Sequence, residues 1–209
     1  LSSLVGDSLS LTGVVPSMPC ESIKATSFDL LGASANVDPM PYVNANARDV
    51  IMDEERLFPQ RPGGLDKFPC IRRSDKAEYC RLVVSQLRCG KVDLSHSVAG
   101  GGAIFAVAKK DSEKCREVWH GQRVSLAAAR PPKPPLLATP SVLLDLETTC
   151  SQPYYLSKRD GKCLFDQLRA PHHLRKFFGR PPVSAKDLLV HGGATLSELQ
   201  AHCHDDQTV

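Results

Sequence analysis

The chain is poor in the signatures that most often identify an enzyme. It has no CxxC pair, no HExxH, no Gly-x-Ser-x-Gly elbow, and no Gly-Lys-Ser/Thr after its glycine run "AGGGA" at 99–103. These absences remove the common zinc-hydrolase, serine-hydrolase and phosphate-loop readings. Aromatic residues make up only 6% of the chain, and no apolar run approaches the length of a membrane span. The opening "LSSLVGDSLSLTGVV" is weakly apolar and has no basic n-region, so no secretory signal is read there. Eight cysteines at 20, 70, 80, 89, 115, 150, 163 and 203 then predict reduced thiols in an intracellular protein. "HCH" at 202–204 has no partner pair at zinc-finger spacing, and nothing in the sequence selects a nucleophilic cysteine.

What is present is unevenly placed charge. The net charge is +3, but residues 1–70 hold five Lys/Arg and nine Asp/Glu, a balance of −4. The remaining 139 residues therefore carry +7. A basic C-terminal two-thirds suits contact with phosphates.

Residues 1–45 show no periodicity and are rich in Ser, Pro, Ala and Asn, which predicts loop or partial disorder. "ARDVIMDEERLF" (47–58) reads as a short amphipathic helix, closed by the breaker "PQRPGG" (59–64). The strongest helix is "SDKAEYCRLVVSQLRCGK" (74–91). Ser74 is placed to cap it, and Asp75 and Glu78 suit its N-terminal end. Ala77, Cys80, Val83, Val84 and Leu87 share a side, and Gly90 stands at the stop.

"AIFAVA" (103–108), the polar "KKDSEKC" (109–115) and a strand-like run from Arg116 predict a β-hairpin with a basic tip, pairing about 103–109 with about 116–124. Lys109, Lys110, Lys114 and Arg116 lie at or beside its turn. A solvated turn would carry such charges too. "ARPPKPPLLATPS" (129–141) holds five of the sixteen prolines and reads as a stiff connector. "APHHLRKFFGRPPV" (170–183) is basic and turn-rich. "SAKDLLV" (184–190) and "TLSELQAHC" (195–203) open with capping-box patterns, Ser184 with Asp187 and Thr195 with Glu198, and predict short helices.

Between them, "YYLSKRDGKCLFDQL" (154–168) delivers Asp160 at the end of a strand-like run, with Phe165 five residues later and Gln167-Leu168 closing the stretch. A carboxylate at a strand end is a place for Mg²⁺, which takes carboxylate oxygens together with water or substrate phosphates.

The order of these features resembles the N-terminal half of a reverse-transcriptase domain of retrotransposon type. "AIFAVAKKDSEKCREVWHGQRVS" resembles the fingers hairpin, and "YLSKRDGKCLFDQL" the first palm motif. "LRKFFGRPPV" (174–183) resembles the segment that follows that motif. The likeness spans about residues 98–190. It implies an α/β (α+β) fold, part of a fingers/palm arrangement with one β-hairpin and several short helices. The organisation it implies is a loop-rich segment 1–70, a fingers-like helix and hairpin 71–128, a proline-rich connector 129–141, and the start of a palm at 142–209.

The resemblance also implies roles. Asp160 would be catalytic and hold Mg²⁺. Lys109, Lys110 and Arg116 would touch the incoming deoxynucleoside triphosphate, with Gln167 nearby. Phe165 would screen the sugar 2′-OH. The partners would be an RNA or DNA template–primer, and no membrane. Glu117, Trp119 and His120 stand where the family has apolar residues and an aspartate. The second palm motif and the Tyr-x-Asp-Asp box are missing, and Asp205-Asp206 has the wrong flanks for that box. The chain alone is therefore expected not to polymerise. The competing expectation is a non-catalytic nucleic-acid-binding or interaction module derived from a retroelement.

Overall fold

The computed structural model describes residues 21–60, 71–110, 113–131, 157 and 161–203. Its class is α+β: among the described residues, one two-stranded antiparallel sheet is accompanied by short helices. The helices are α1 (Ala45–Met52), α2 (Glu54–Leu57), α3 (Lys76–Arg88), α4 (Gln122–Ala127), α5 (Leu164–Gln167), α6 (Ala185–Asp187) and α7 (Leu196–His202). The strands are β1 (Ala103–Ala108) and β2 (Cys115–His120).

Helix α3 is the central pillar. Tyr79, Cys80, Leu82, Val83, Val84, Gln86 and Leu87 are all buried, so it is covered on more than the one side that its aliphatic spacing predicts. Ile23 and Phe28 from the N-terminal segment, Ile104 and Ala106 from β1, Leu188 and Leu199 complete its core. Desolvating Tyr79 raises its phenol above the usual range, and its hydroxyl donates to the Pro181 carbonyl at 3.0 Å. At the C-terminal end Gly90 takes φ +73°, a left-handed value that glycine adopts without steric cost, and Gly90 N and Lys91 N close the last turn on Leu87 O and Gln86 O. The other end departs from expectation. Arg73–Asp75 form a 3₁₀ turn, and no side chain caps α3. Ser74 instead meets the Asp75 carboxylate at 3.3 Å, and Glu78 turns outward to accept from Ala25 N at 2.9 Å, tying down the N-terminal segment.

A second, smaller core joins Phe58, Val124, Ala127, Leu174 and Phe177, with the Phe58 and Phe177 ring centroids 4.2 Å apart. Trp119 lies against both cores and donates its indole N–H to Gly179 O at 3.0 Å.

The hairpin forms in the register Ala103↔His120 to Ala108↔Cys115, so its first arm stands as expected and its second is shorter. The chain leaves the sheet at Gly121, and 122–127 is helical rather than extended. Val and Leu suit a strand. Yet Val124 and Ala127, three apart, both reach the second core in a helix, while Leu126 stays 73% exposed. Burial of the i, i+3 pair outweighs local strand propensity. The expected helix 47–58 is likewise interrupted, because Asp53 leaves helical geometry to cap α2 through Glu55 N and Arg56 N, both at 3.1 Å.

The glycines at 100–102 have a packing role. This stretch pairs with 176–179 through Gly102 N→Gly179 O and Gly179 N→Gly100 O, both 3.0 Å. A Cβ on Gly102 would lie 2.3 Å from His120 O, closer than any side chain tolerates. The predicted helices near the C-terminus form with their caps: Ser184 accepts from Asp187 N, and Thr195 and Glu198 make a reciprocal capping box. After α6 the backbone widens into a π-helical turn, Leu188–Gly192, that packs on α3. Among the described residues no helix is long and apolar enough to cross a membrane. Most of the proline-rich connector and all of 142–156 lie outside the described residues.

Candidate phosphate-binding hairpin

Alternation along the hairpin sorts its side chains. Ile104, Ala106, Glu117 and Trp119 share one face, and Ile104 and Ala106 turn it to the main core. Phe105, Val107, Arg116, Val118 and His120 share the other. Arg116 therefore stands on the outer face, exposed, with no partner among the described residues. Lys110, in the turn, is likewise exposed and unpartnered there. Asp111 lies outside the described residues.

Lys109 is differently placed. Its ammonium is paired with Asp29 at 2.5 Å, both side chains being one-third exposed. That hydrogen bond foremost, with the fields of Lys109, Lys114 and Lys162, holds the Asp29 carboxyl below the usual carboxylate range. Asp29 thus sits among three lysines from two parts of the chain. Its neighbours pin the arrangement. Phe28 bridges Cys115 on β2, the Cys163 thiol reaches Asp29 O at 3.8 Å, and Ala35 N and Val37 N donate to Asp166 O and Gln167 O at 2.9 Å. The segment that follows Asp160 is consequently held beside the Lys109 end of the hairpin by residues 28–37. Lys114 donates to Thr26 O at 3.1 Å, and a shallow depression of about 320 Å³ between 21–27 and the tip is lined by Lys24 and Lys114 but also by Glu21 and Glu113.

Asp160 itself lies outside the described residues, as do Lys158 and Arg159. Phe165 is on α5 and 84% exposed. Gln167 folds back, its amide donating to Lys162 O at 2.9 Å. Entry into α5 runs through Cys163 at φ +47°, an uncommon left-handed value for a residue with a Cβ. Among the described residues no three His, Cys, Asp or Glu side chains come together to hold a metal.

Sequence reasoning missed a buried polar network among the described residues. Glu117 is on the core face of β2 with its side chain only 8% exposed. It accepts from Arg180 at 2.5 Å, from Lys91 at 3.1 Å and from the wholly buried Gln86 amide at 2.6 Å. Arg180 also donates to Gln86 Oε1 at 2.6 Å, and Lys91 reaches Asp166 at 2.9 Å. Two cations and two carboxylates therefore alternate from 180 to 117 to 91 to 166, which is how a buried charge is tolerated. The chain of charges locks β2, the end of α3, α5 and the 179–181 bend to one another. Alternation was the available signal: a glutamate two residues from Trp119 on a core-facing strand needs cations.

Protein-family models, curated proteins and solved structures were each compared with the chain, and none of them matches it.

Proposed function

We propose that this chain is the fingers and the opening of the palm of a retroelement-type RNA-directed DNA polymerase, and that its hairpin contacts nucleic-acid or nucleotide phosphates through Lys110 and Arg116. The observation that carries this reading is the antiparallel hairpin 103–108/115–120, which presents both cations to solvent. Phosphate contacts are positional and sequence-independent, and an exposed Arg or Lys supplies them by releasing condensed counterions. In this reading Lys109 is engaged by Asp29 rather than gripping phosphate. Asp160, four residues before α5 in the chain, is the Mg²⁺ ligand, and Phe165 stands ready on α5 to lie against a sugar. The exposure of Phe165 supports that role, since an aromatic kept for the core would be covered.

The test is a salt titration of binding to a single-stranded oligonucleotide and to an RNA–DNA hybrid. Affinity is expected to fall steeply with salt, and replacing Lys110 and Arg116 by Ala should flatten the log–log slope by about 1.5, two contacts at roughly 0.7–0.9 each. An unchanged slope would mark the tip as a solvated turn. In a chain extended by the later palm motifs of that family, Asp160→Asn is expected to abolish nucleotide addition and spare template binding. Phe165→Ala is expected mainly to relax discrimination against ribonucleotides.

A further inference from the structure

A second constellation lies on α7 and the loop after α3, and it is independent of the hairpin. Leu94 bridges Cys203 in parallel, with Leu94 N donating to His202 O at 3.0 Å. This pairing sets His96 beside the end of α7, and its Nε2 stands 3.6 Å from the Cys203 thiol. Ser95 braces the turn, its hydroxyl donating to Ser97 O at 2.8 Å and accepting from Ser97 N at 3.3 Å. Cys203 is partly exposed, unlike the buried Cys80 and Cys89. The other charged groups of these two elements are committed elsewhere. Lys91 is paired with Glu117 and Asp166, Asp93 with Arg175 at 2.8 Å, and Glu198 with Arg88 at 3.0 Å. Among the described residues, His202 is also titratable and adjoins Cys203 in the chain.

We propose that Cys203 and His96 form a thiol-modification site whose substrate is a low-molecular-weight disulfide of the glutathione type. His96 Nε2 takes the thiol proton as the sulfur attacks one sulfur of the disulfide. A Cys203 S–S bond forms, the substrate S–S bond breaks, and its second sulfur leaves as a thiolate that afterwards recovers the proton from the imidazolium. The Cys203 sulfur is oxidised and the departing sulfur reduced, so no further oxidant is needed. The arrangement is a nucleophile with a base in reach. Access matters equally, because exchange requires the disulfide to approach the sulfur in line.

The experiment exposes the whole chain to oxidised glutathione, quenches with acid, and follows each cysteine by peptide mass spectrometry. Cys115 and Cys163, also partly exposed, serve as internal references. Near pH 7 Cys203 is expected to react about tenfold faster than either. His96→Gln should remove about tenfold from the Cys203 rate near pH 7 and almost nothing near pH 10, where thiols ionise unaided. Unchanged rates at the reference cysteines establish that the variant is folded. The proposal is overturned if Cys203 reacts no faster than the references, if His96→Gln leaves the neutral-pH rate intact, or if it lowers the rate equally at both pH values.

Discussion

Glu117 and Arg116 are adjacent on β2 and lead opposite lives. Glu117 faces the core and is held by Arg180, Lys91 and Gln86, while Arg116 faces solvent with no partner among the described residues. One residue of strand register separates a structural charge from one free to meet a ligand. The Lys109–Asp29 pair, at the same end of the sheet, is intermediate: partly in solvent, yet a tie between the N-terminal segment and the hairpin. Burial, not charge, decides which ions hold this fold and which are available to a partner. A buried ion must be satisfied or it destabilises, whereas an exposed ion contributes little to stability and keeps its capacity to bind.

The sharpest way to break this comparison is to remove the buried anion. Glu117→Ala leaves Arg180, Lys91 and the Gln86 amide without their shared acceptor, and is expected to cost about 3–5 kcal/mol in urea or thermal unfolding. A loss under about 1 kcal/mol would show that water replaces the carboxylate and that the network is a surface one. By contrast, Arg116→Ala is expected to change stability by less than about 0.5 kcal/mol.

At the base of the same hairpin, Gly102→Ala forces a methyl against His120 O. The expected cost is about 1–3 kcal/mol of strain, read from the unfolding midpoint, and it should appear without any change in net charge. A Gly102→Ala variant as stable as the parent would mean that the Gly102 and His120 backbones are not in close contact.

An exposed pair sets the lower bound. The Arg88 hydrogen bond, with those from Thr195, holds the Glu198 carboxyl down at about 2, against 4.5 for the free side chain. A carboxyl whose value is lowered by folding adds stability above its unfolded value and loses it as pH falls toward the folded one. The contribution of α7 docking should therefore fade between pH 4.5 and about 2. Glu198→Gln should remove that part of the acid dependence while leaving stability at neutral pH slightly reduced. Differential scanning calorimetry across that range reads it. An identical pH profile in the variant would show that the pair forms equally in the unfolded chain.

The smallest effect concerns the intermediate pair. Asp29→Asn frees Lys109 for phosphate, so the salt dependence of oligonucleotide binding should steepen by about 0.7–0.9, with a several-fold gain in affinity at low salt. No change would place Lys109 too deep to reach a phosphate. Weaker binding would show that Asp29 orders the tip.

Much of the local architecture was legible in the sequence. The 74–91 stretch announces α3 by aliphatic spacing and Gly90. Thr195 with Glu198 announces α7. "AIFAVA" followed by a polar turn announces β1 and β2. These signals are carried by neighbours in the chain, where propensity, capping and period act over a few residues. For the same reason the sequence by itself placed Lys110 and Arg116 at one turn. It could not tell Lys109 from them, because the difference is Asp29, 80 residues away.

Only the tertiary structure decided the rest. It ended β2 at Gly121 and made 122–127 a helix, since the second core offers burial to Val124 and Ala127 that a longer strand would not find. It set Arg180, Lys91, Gln86 and Asp166 around Glu117, and it brought His96 to Cys203 across 107 residues of chain. Long-range pairing of polar groups leaves no periodic trace, because each partner reads locally as an ordinary surface residue. Burial alone turns such residues into a network, and burial belongs to the packed molecule.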